Sequence, residues 1–284
     1  MVNLNKIKFA ANKDTNFVFH MLSVAKCGYD NAYGSYYRDL YPDEDLSVIK
    51  ENERLLTVCG GEHCGFLYGT LVSEPACAIT SAKKYYSGLI RMTNNNEVPE
   101  MFKDYTDIVY KISNVMVKHY DHYINNIWKN EEKKIKAYVP EVLRLFEETH
   151  FTDRAEELVN CKLLSEFFTA TLVTSVENGA EAIDISDEQD VFGIERTPLD
   201  AFYFIGHEFI IYLLLNALKN EDAFERFETW NLTEGLAEYY IKKITGEIKF
   251  DNHRKYVEFF EKCEIASKKS AVELYRMGLQ DGGI

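Results

Sequence analysis

The sequence predicts an α+β fold that is mainly helical and contains one small sheet. Apolar residues recur at helical spacing through most of the 284-residue chain. A β-branched and aromatic stretch between residues 167 and 185 is typical of strands. Hydrophobic residues make up 46% of the chain, which is enough to bury a sizeable core.

The first half of the chain is predicted to be mainly helical around a loop-rich insert. Segment 16–26 has the apolar spacing of a helix. Residues 59–82 are rich in glycine and predict turns or short strands. The polar stretch 93–99 predicts a loop. We place there the boundary between an amino-terminal region, residues 1–98, and a second domain, residues 99–284.

The second domain is predicted to begin with helices and then to change character. Residues 100–150 carry apolar stripes, and Pro140 is expected to begin a new helix. Strand-like residues 167–176 are followed by Asn178-Gly179, a dipeptide typical of tight turns, and by the alternating residues 180–185. This order predicts a β-hairpin.

The charge balance and the apolar pattern argue against two classes of partner. Forty-six acidic residues against 32 basic ones give a net charge of −14, without any block of Lys and Arg, so nucleic acid would be repelled. The apolar stretch 17–25 is short, contains His20 and lacks the features of a signal peptide. No uninterrupted apolar segment approaches the roughly 18 residues that span a bilayer. The sequence predicts a cytoplasmic protein with no membrane or nucleic-acid partner.

The cysteines are scattered, which favours reduced thiols over a disulfide framework. Segment 59–64, Cys-Gly-Gly-Glu-His-Cys, contains zinc-type ligands, but its spacing matches no common structural-zinc pattern. Buried or incidental thiols are therefore the favoured interpretation. The six cysteines are Cys27, Cys59, Cys64, Cys77, Cys161 and Cys263.

Two polar residues, His207 and Glu208, interrupt the most apolar segment of the chain. Pro198 and Asp200 mark a helix start, and residues 201–216 are apolar on nearly every side of a helix, which predicts burial. An uncompensated ionised carboxylate in such a position is costly. We therefore expect these side chains to be paired, bound to a metal or protonated.

A second helix, residues 229–240, carries two carboxylates on one face. Glu234 and Glu238 are four residues apart, so one of them is placed to meet a metal while the other orients a histidine. Asn231 or Thr233 is expected to cap the first turn. Small residues would let this helix approach the first one closely; they are Gly235 and Ala237.

Together the two segments resemble the gluzincin branch of zinc metallopeptidases, in which His-Glu-x-x-His on one helix precedes a Trp-x-x-x-Glu-Gly-x-Ala-Glu-like segment on the next. The resemblance covers roughly residues 165–245. It implies a zincin-like domain in which His207 and Glu234 bind zinc. It further implies that Glu208 is the general base to a metal-bound water and that Glu238 braces the histidine.

The resemblance breaks at Ile211, where the second histidine of the motif would stand. Isoleucine cannot coordinate metal, and the loss of one ligand is expected to cost on the order of 3 kcal/mol, about a hundredfold in zinc affinity. A replacement ligand from elsewhere is possible, with His253 favoured because it lies just beyond the second helix. The other candidates are His20, His63, His119, His122, His150 and the cysteines.

Two functions follow from the resemblance. The favoured one is a catalytically silent zincin-like protein that binds a peptide or protein in the inherited cleft, aligned by a strand edge within residues 167–185. The alternative is an active intracellular metal-dependent peptidase with a replacement ligand. Its proton donor would be Tyr240, Tyr256 or His253. A third interpretation requires no such ancestry: His207 and Glu234 simply hydrogen-bond between two packed helices.

Overall fold

Helices dominate the structure, a computed structural model that describes residues 6–57, 64–177, 180–194, 197–221, 227–264 and 268–281. Together with the four strands that the described residues form in a single sheet, they give the α+β class that the sequence predicts. The helices are α1 (Lys13–Val24), α2 (Ala32–Tyr37), α3 (Asp43–Lys50), α4 (Glu53–Leu56), α5 (Glu74–Ala76), α6 (Ala82–Asn94), α7 (Thr106–Tyr123), α8 (Lys129–Thr149), α9 (Phe151–Val159), α10 (Pro198–Leu218), α11 (Phe227–Thr245), α12 (Arg254–Glu264) and α13 (Ala271–Gln280).

The sheet is mixed, with its one antiparallel strand at an edge. The strands are β1 (Ile7–Ala10), β2 (Phe168–Val173), β3 (Ala180–Asp184) and β4 (Gln189–Gly193). Their spatial order is β1-β2-β4-β3. Strands β1, β2 and β4 run parallel, whereas β3 is antiparallel to β4 and forms the outer edge.

The predicted hairpin between residues 167–176 and 180–185 is wrong in its pairing. Both segments form strands, but β4 lies between them and is the partner of β3. Strand β2 is buried along almost its whole length, so it is a central strand that needs a neighbour on each side. The Asn178-Gly179 turn lies outside the described residues.

The sheet separates two apolar cores. One core contains residues of α8 to α13 and one face of the sheet, and the other contains helices of the first half and the opposite face. Successive residues of β4 show the division, because Val191 packs into the second core and Phe192 into the first. Helices α6 and α7 flank the predicted boundary at residue 98 and share one core. That boundary stays a prediction.

Helix α10 has the start that the sequence predicts. Thr197 caps it by accepting a hydrogen bond from the backbone N–H of Asp200, and Pro198 occupies its first turn. The helix is long and apolar enough to cross a membrane, but 72% of its most apolar window is buried inside the protein. The absence of a membrane partner and the cytoplasmic location stay predictions.

Two local predictions about helices are wrong. Pro140 lies inside α8, because Ile135 and Val142 on either side of it pack into one continuous core. Helix α11 begins at Phe227, so Asn231 and Thr233 lie within it and cap nothing. The glycine-rich insert, predicted to form turns or short strands, begins its described part with turns and continues into a π-helical segment (Gly69–Ser73) and α5, with no strand among those residues.

Candidate functional site

A direct hydrogen bond joins α10 and α11 at the site that the sequence singles out. Nε2 of His207 lies 2.7 Å from Oε2 of Glu234. The side chain of His207 is 4% exposed and that of Glu234 is 22% exposed, so the pair is largely shielded from water. The polar partner expected for His207 is therefore the first glutamate of the second segment.

His207 and Glu234 form an ion pair as well as a hydrogen bond. Burial opposes a charged imidazole at His207, but the hydrogen bond to Glu234 and the nearby carboxylates outweigh it and raise the pKa of His207 to about 10. Burial likewise opposes ionisation of Glu234, yet His207 holds the pKa of that carboxyl below its usual value. At neutral pH the pair is an imidazolium and a carboxylate.

Glu238 lies behind His207 and anchors the chain that follows α11. It is fully buried, and its Oε2 is 3.7 Å from Nδ1 of His207, which is too far for a hydrogen bond. Its Oε1 accepts hydrogen bonds from the backbone N–H groups of Lys249 and Phe250. The Phe250 ring meets the His207 ring edge-on, with 5.2 Å between centroids. Glu238 thus fixes the loop that closes over His207.

Glu208 stands beside the pair without a hydrogen-bond partner among the described residues. Burial raises the pKa of its carboxyl to about 8, and the charge of Asp190 adds to the shift. The adjacent His207 partly offsets this effect. Glu208 is therefore a carboxyl that can take up or release a proton near neutral pH.

The residue at the position of the motif's second histidine, Ile211, is part of the core. Ile211 is 3% exposed and packs in the first apolar core, one helical turn beyond His207. Among the residues that the structure describes, no three His, Cys, Asp or Glu side chains are placed to hold a metal. Nε2 of His207 and Oε2 of Glu234, the atoms expected to face zinc, bind each other. The described residues do not form a three-ligand zinc set.

His253 is the replacement candidate that the fold brings near. Its ring stacks on that of His207 at 25°, with 6.5 Å between centroids. Its Nδ1 is buried and has no hydrogen-bond partner in the described part of the chain. Two imidazoles on one zinc have centroids about 5 Å apart, since each Zn–N bond is about 2 Å long. The rings would have to approach each other before both could bind one ion.

The other described candidate ligands lie elsewhere in the fold. His20 is enclosed by Tyr33 and Tyr41, whose hydroxyls lie 2.6 and 2.7 Å from its two nitrogens, and burial lowers its pKa to about 3. His119 pairs with Asp45. His122 contacts Asn126 at the surface, and His150 joins α8 to α9. The described cysteines are free, whereas Cys59 and His63 lie outside the described residues.

Asp190 is a buried acid near the site that sequence reasoning missed. It lies on β4 and accepts a hydrogen bond of 2.7 Å from the Tyr212 hydroxyl on α10. Burial raises its pKa to about 7. The only signal in the sequence was an acidic residue directly before the apolar pair Val191-Phe192. Asp190 ties the sheet to the helix that carries His207.

Gly235 permits a close helix contact, although with a different partner from the predicted one. A Cβ atom at this position would lie 2.3 Å from Cβ of Tyr256 on α12. The close approach is therefore between α11 and α12, whereas we expected it between α11 and α10. Tyr256, a candidate proton donor, packs over Gly235.

Comparisons of the chain with known protein families, with curated proteins and with solved structures found no match.

Proposed function

We propose that this chain is a zincin-like protein. Three features support the proposal. His207 and Glu234 meet between two packed helices, as the two zinc ligands of the gluzincin motif do in the resemblance. Glu238 lies behind the histidine. The sheet places an antiparallel edge strand, β3, beside the strand that Tyr212 ties to α10.

Within that class, the protein is proposed to bind an extended peptide or protein segment along β3 without hydrolysing it. The observation that carries this proposal is the hydrogen bond of 2.7 Å between His207 and Glu234, together with Ile211 in the core. A proton joins the two groups that would otherwise share a metal. Losing the third ligand weakens zinc binding by about a hundredfold.

The edge position of β3 supports a peptide ligand. An edge strand presents backbone N–H and C=O groups that can pair with an added strand. The carbonyl of Ala182 points away from β4, since it accepts a hydrogen bond from the Tyr68 hydroxyl. In an antiparallel ladder the N–H of the same residue points the same way. Ala182 is also exposed, so its N–H is placed to pair with a ligand.

The test is binding of an extended peptide, with oxidised insulin B chain labelled with fluorescein as the probe. Fluorescence polarisation should report binding, and mass spectrometry should find the probe uncut with or without added zinc. Ala182→Pro removes the outward N–H and should abolish binding, whereas the matched Ala182→Val keeps it. Equal binding by both variants would exclude strand addition at β3. Cleavage of the probe would show that the protein is not catalytically silent.

A second candidate function, an active metal-dependent peptidase, is favoured by the position of His253. Its stacked ring and unpartnered Nδ1 make it the described side chain best placed to replace the missing ligand. If it does, His253→Ala should lose zinc and peptide cleavage together, while His150→Ala should keep both. A parent protein that holds no zinc would exclude this candidate.

A further inference from the structure

The amino-terminal half of the chain holds the outer strand of the sheet. The Tyr29 hydroxyl donates a hydrogen bond of 2.8 Å to Oε1 of Glu181 on β3. The Tyr68 hydroxyl donates one of 2.9 Å to the carbonyl of Ala182. The Ser73 hydroxyl donates to the carbonyl of Ile183. Three consecutive residues of β3 are therefore contacted by side chains from a distant part of the sequence.

Two of these contacts occupy the backbone that a ligand strand would need. The ladder between β3 and β4 shifts register between Ala182 and Asp184, and at this irregularity the carbonyls of Ala182 and Ile183 both accept side-chain hydroxyls. Pairing with an added strand uses the same outward carbonyls. A peptide on this edge must therefore compete with Tyr68 and Ser73.

The three contacts differ in whether they use the backbone of β3. Tyr29 donates to the side chain of Glu181, so this anchor can stay in place when a ligand strand pairs with the backbone. Tyr68 and Ser73 donate to backbone carbonyls, so a ligand strand must displace them. Tyr68 directly precedes the π-helical segment Gly69–Ser73 and Ser73 ends it, which places both contacts at a short irregular element.

Space for opening lies directly beside the contacts. A cavity of about 450 Å³ is lined by Tyr29, Tyr68 and Glu181, and its remaining walls come from the end of α1, from α4 and from the adjacent loop residues. Tyr68 lines this cavity, so its side chain borders open space on that side. Movement of the ring would free the carbonyl of Ala182 while the anchor stays in place.

We propose that Tyr68 and Ser73 form a clamp that closes the outer edge of β3, and that a bound peptide displaces both hydroxyls. The clamp rests on the proposed function, because it regulates access to the same strand. The apparent affinity for the peptide is the intrinsic affinity multiplied by the fraction of molecules in which the edge is open. Each hydroxyl contact shifts the equilibrium between closed and open edge by between about twofold and about tenfold.

The experiment compares labelled oxidised insulin B chain binding by the parent and by Tyr68→Phe/Ser73→Ala. We expect the double variant to bind about tenfold more tightly, with faster hydrogen–deuterium exchange of the amides of residues 180–184 in the free protein. The matched control is Tyr85→Phe/Ser87→Ala, which makes the same changes where the hydroxyls contact Glu74 and a carbonyl within α6. The control should bind like the parent.

The outcomes separate the clamp from the function on which it rests. Tighter binding by the double variant alone supports the clamp. Measurable and equal binding by parent, double variant and control overturns the clamp and leaves the peptide-binding function intact. Failure of all three proteins to bind, with exchange at residues 180–184 increased in the double variant, overturns the peptide-binding function and the clamp with it.

Discussion

Oε2 of Glu234 lies 2.7 Å from Nε2 of His207, so a shared proton connects the two helices at the point where the resemblance implies a metal. The pair lies between the apolar surfaces of α10 and α11, where an unpartnered charge would be costly. Each partner compensates the charge of the other, so neither His207 nor Glu234 is left as an unpaired buried charge.

This arrangement predicts that His207 remains protonated at pH 8. Its folded-state pKa of about 10 lies above the ordinary value of 6.5, so the stability that it contributes is fully present below pH 6.5 and is lost as the pH rises through about 10. Glu234→Gln should lower the pKa of His207, because it removes the charged partner. Nitrogen-15 NMR of labelled histidine measures both effects. A neutral His207 ring at pH 8 in the parent would contradict the ion pair.

The close contact between α11 and α12 predicts a large effect of one methyl group. Gly235→Ala places Cβ 2.3 Å from Cβ of Tyr256, and the helices must move apart. The expected loss in the free energy of unfolding is about 1–3 kcal/mol. Gly88→Ala on α6 is the matched control, since nothing lies within 4 Å of its added Cβ. It should be neutral or stabilising by up to about 1 kcal/mol. Urea denaturation distinguishes them, and equal effects would contradict the described packing.

The buried acid on β4 predicts a dependence of stability on pH. The pKa of Asp190 is about 7 in the folded protein, above its ordinary value of 3.8. Its favourable contribution is therefore fully present below about pH 3.8 and is lost as the pH rises through about 7. Between pH 5 and pH 8, the parent should lose about 2–3 kcal/mol of unfolding free energy relative to Asp190→Asn.

Urea denaturation of both proteins at the two pH values measures this difference. Asp187→Asn is a suitable control because Asp187 is exposed in the turn between β3 and β4. It should follow the parent at both pH values. If Asp190→Asn also follows the parent, Asp190 is not held in its protonated form by burial.

The sequence was most informative where local pattern decides structure. The apolar run of α10 and the start signals Pro198 and Asp200 define a buried helix whatever its partners are. Helical geometry put Glu234 and Glu238 on one face, and the cost of burying charge required a polar partner for His207. The resemblance to the gluzincin motif then implied that these three side chains meet, and the two helices bring them together.

Pairing between distant segments could not be predicted in the same way. Strand β4 is short and begins with two polar residues, so the alternation that marks β3 is weak there. The choice of β4 over β2 as the neighbour of β3 depends on crossover connections that local patterns do not encode. The same applies to His253, whose approach to His207 depends on how the loop after α11 folds back.

His207 and Glu234 bind each other, and we propose that they do so in place of a metal because Ile211 stands where the resemblance implies a third ligand. The most direct test of this proposal is the zinc content of the purified parent, Ile211→His and His207→Ala after zinc loading and gel filtration, measured by elemental mass spectrometry. We predict about one zinc per chain in Ile211→His and almost none in the parent or in His207→Ala. About one zinc in the parent, lost in His207→Ala, would contradict the proposal.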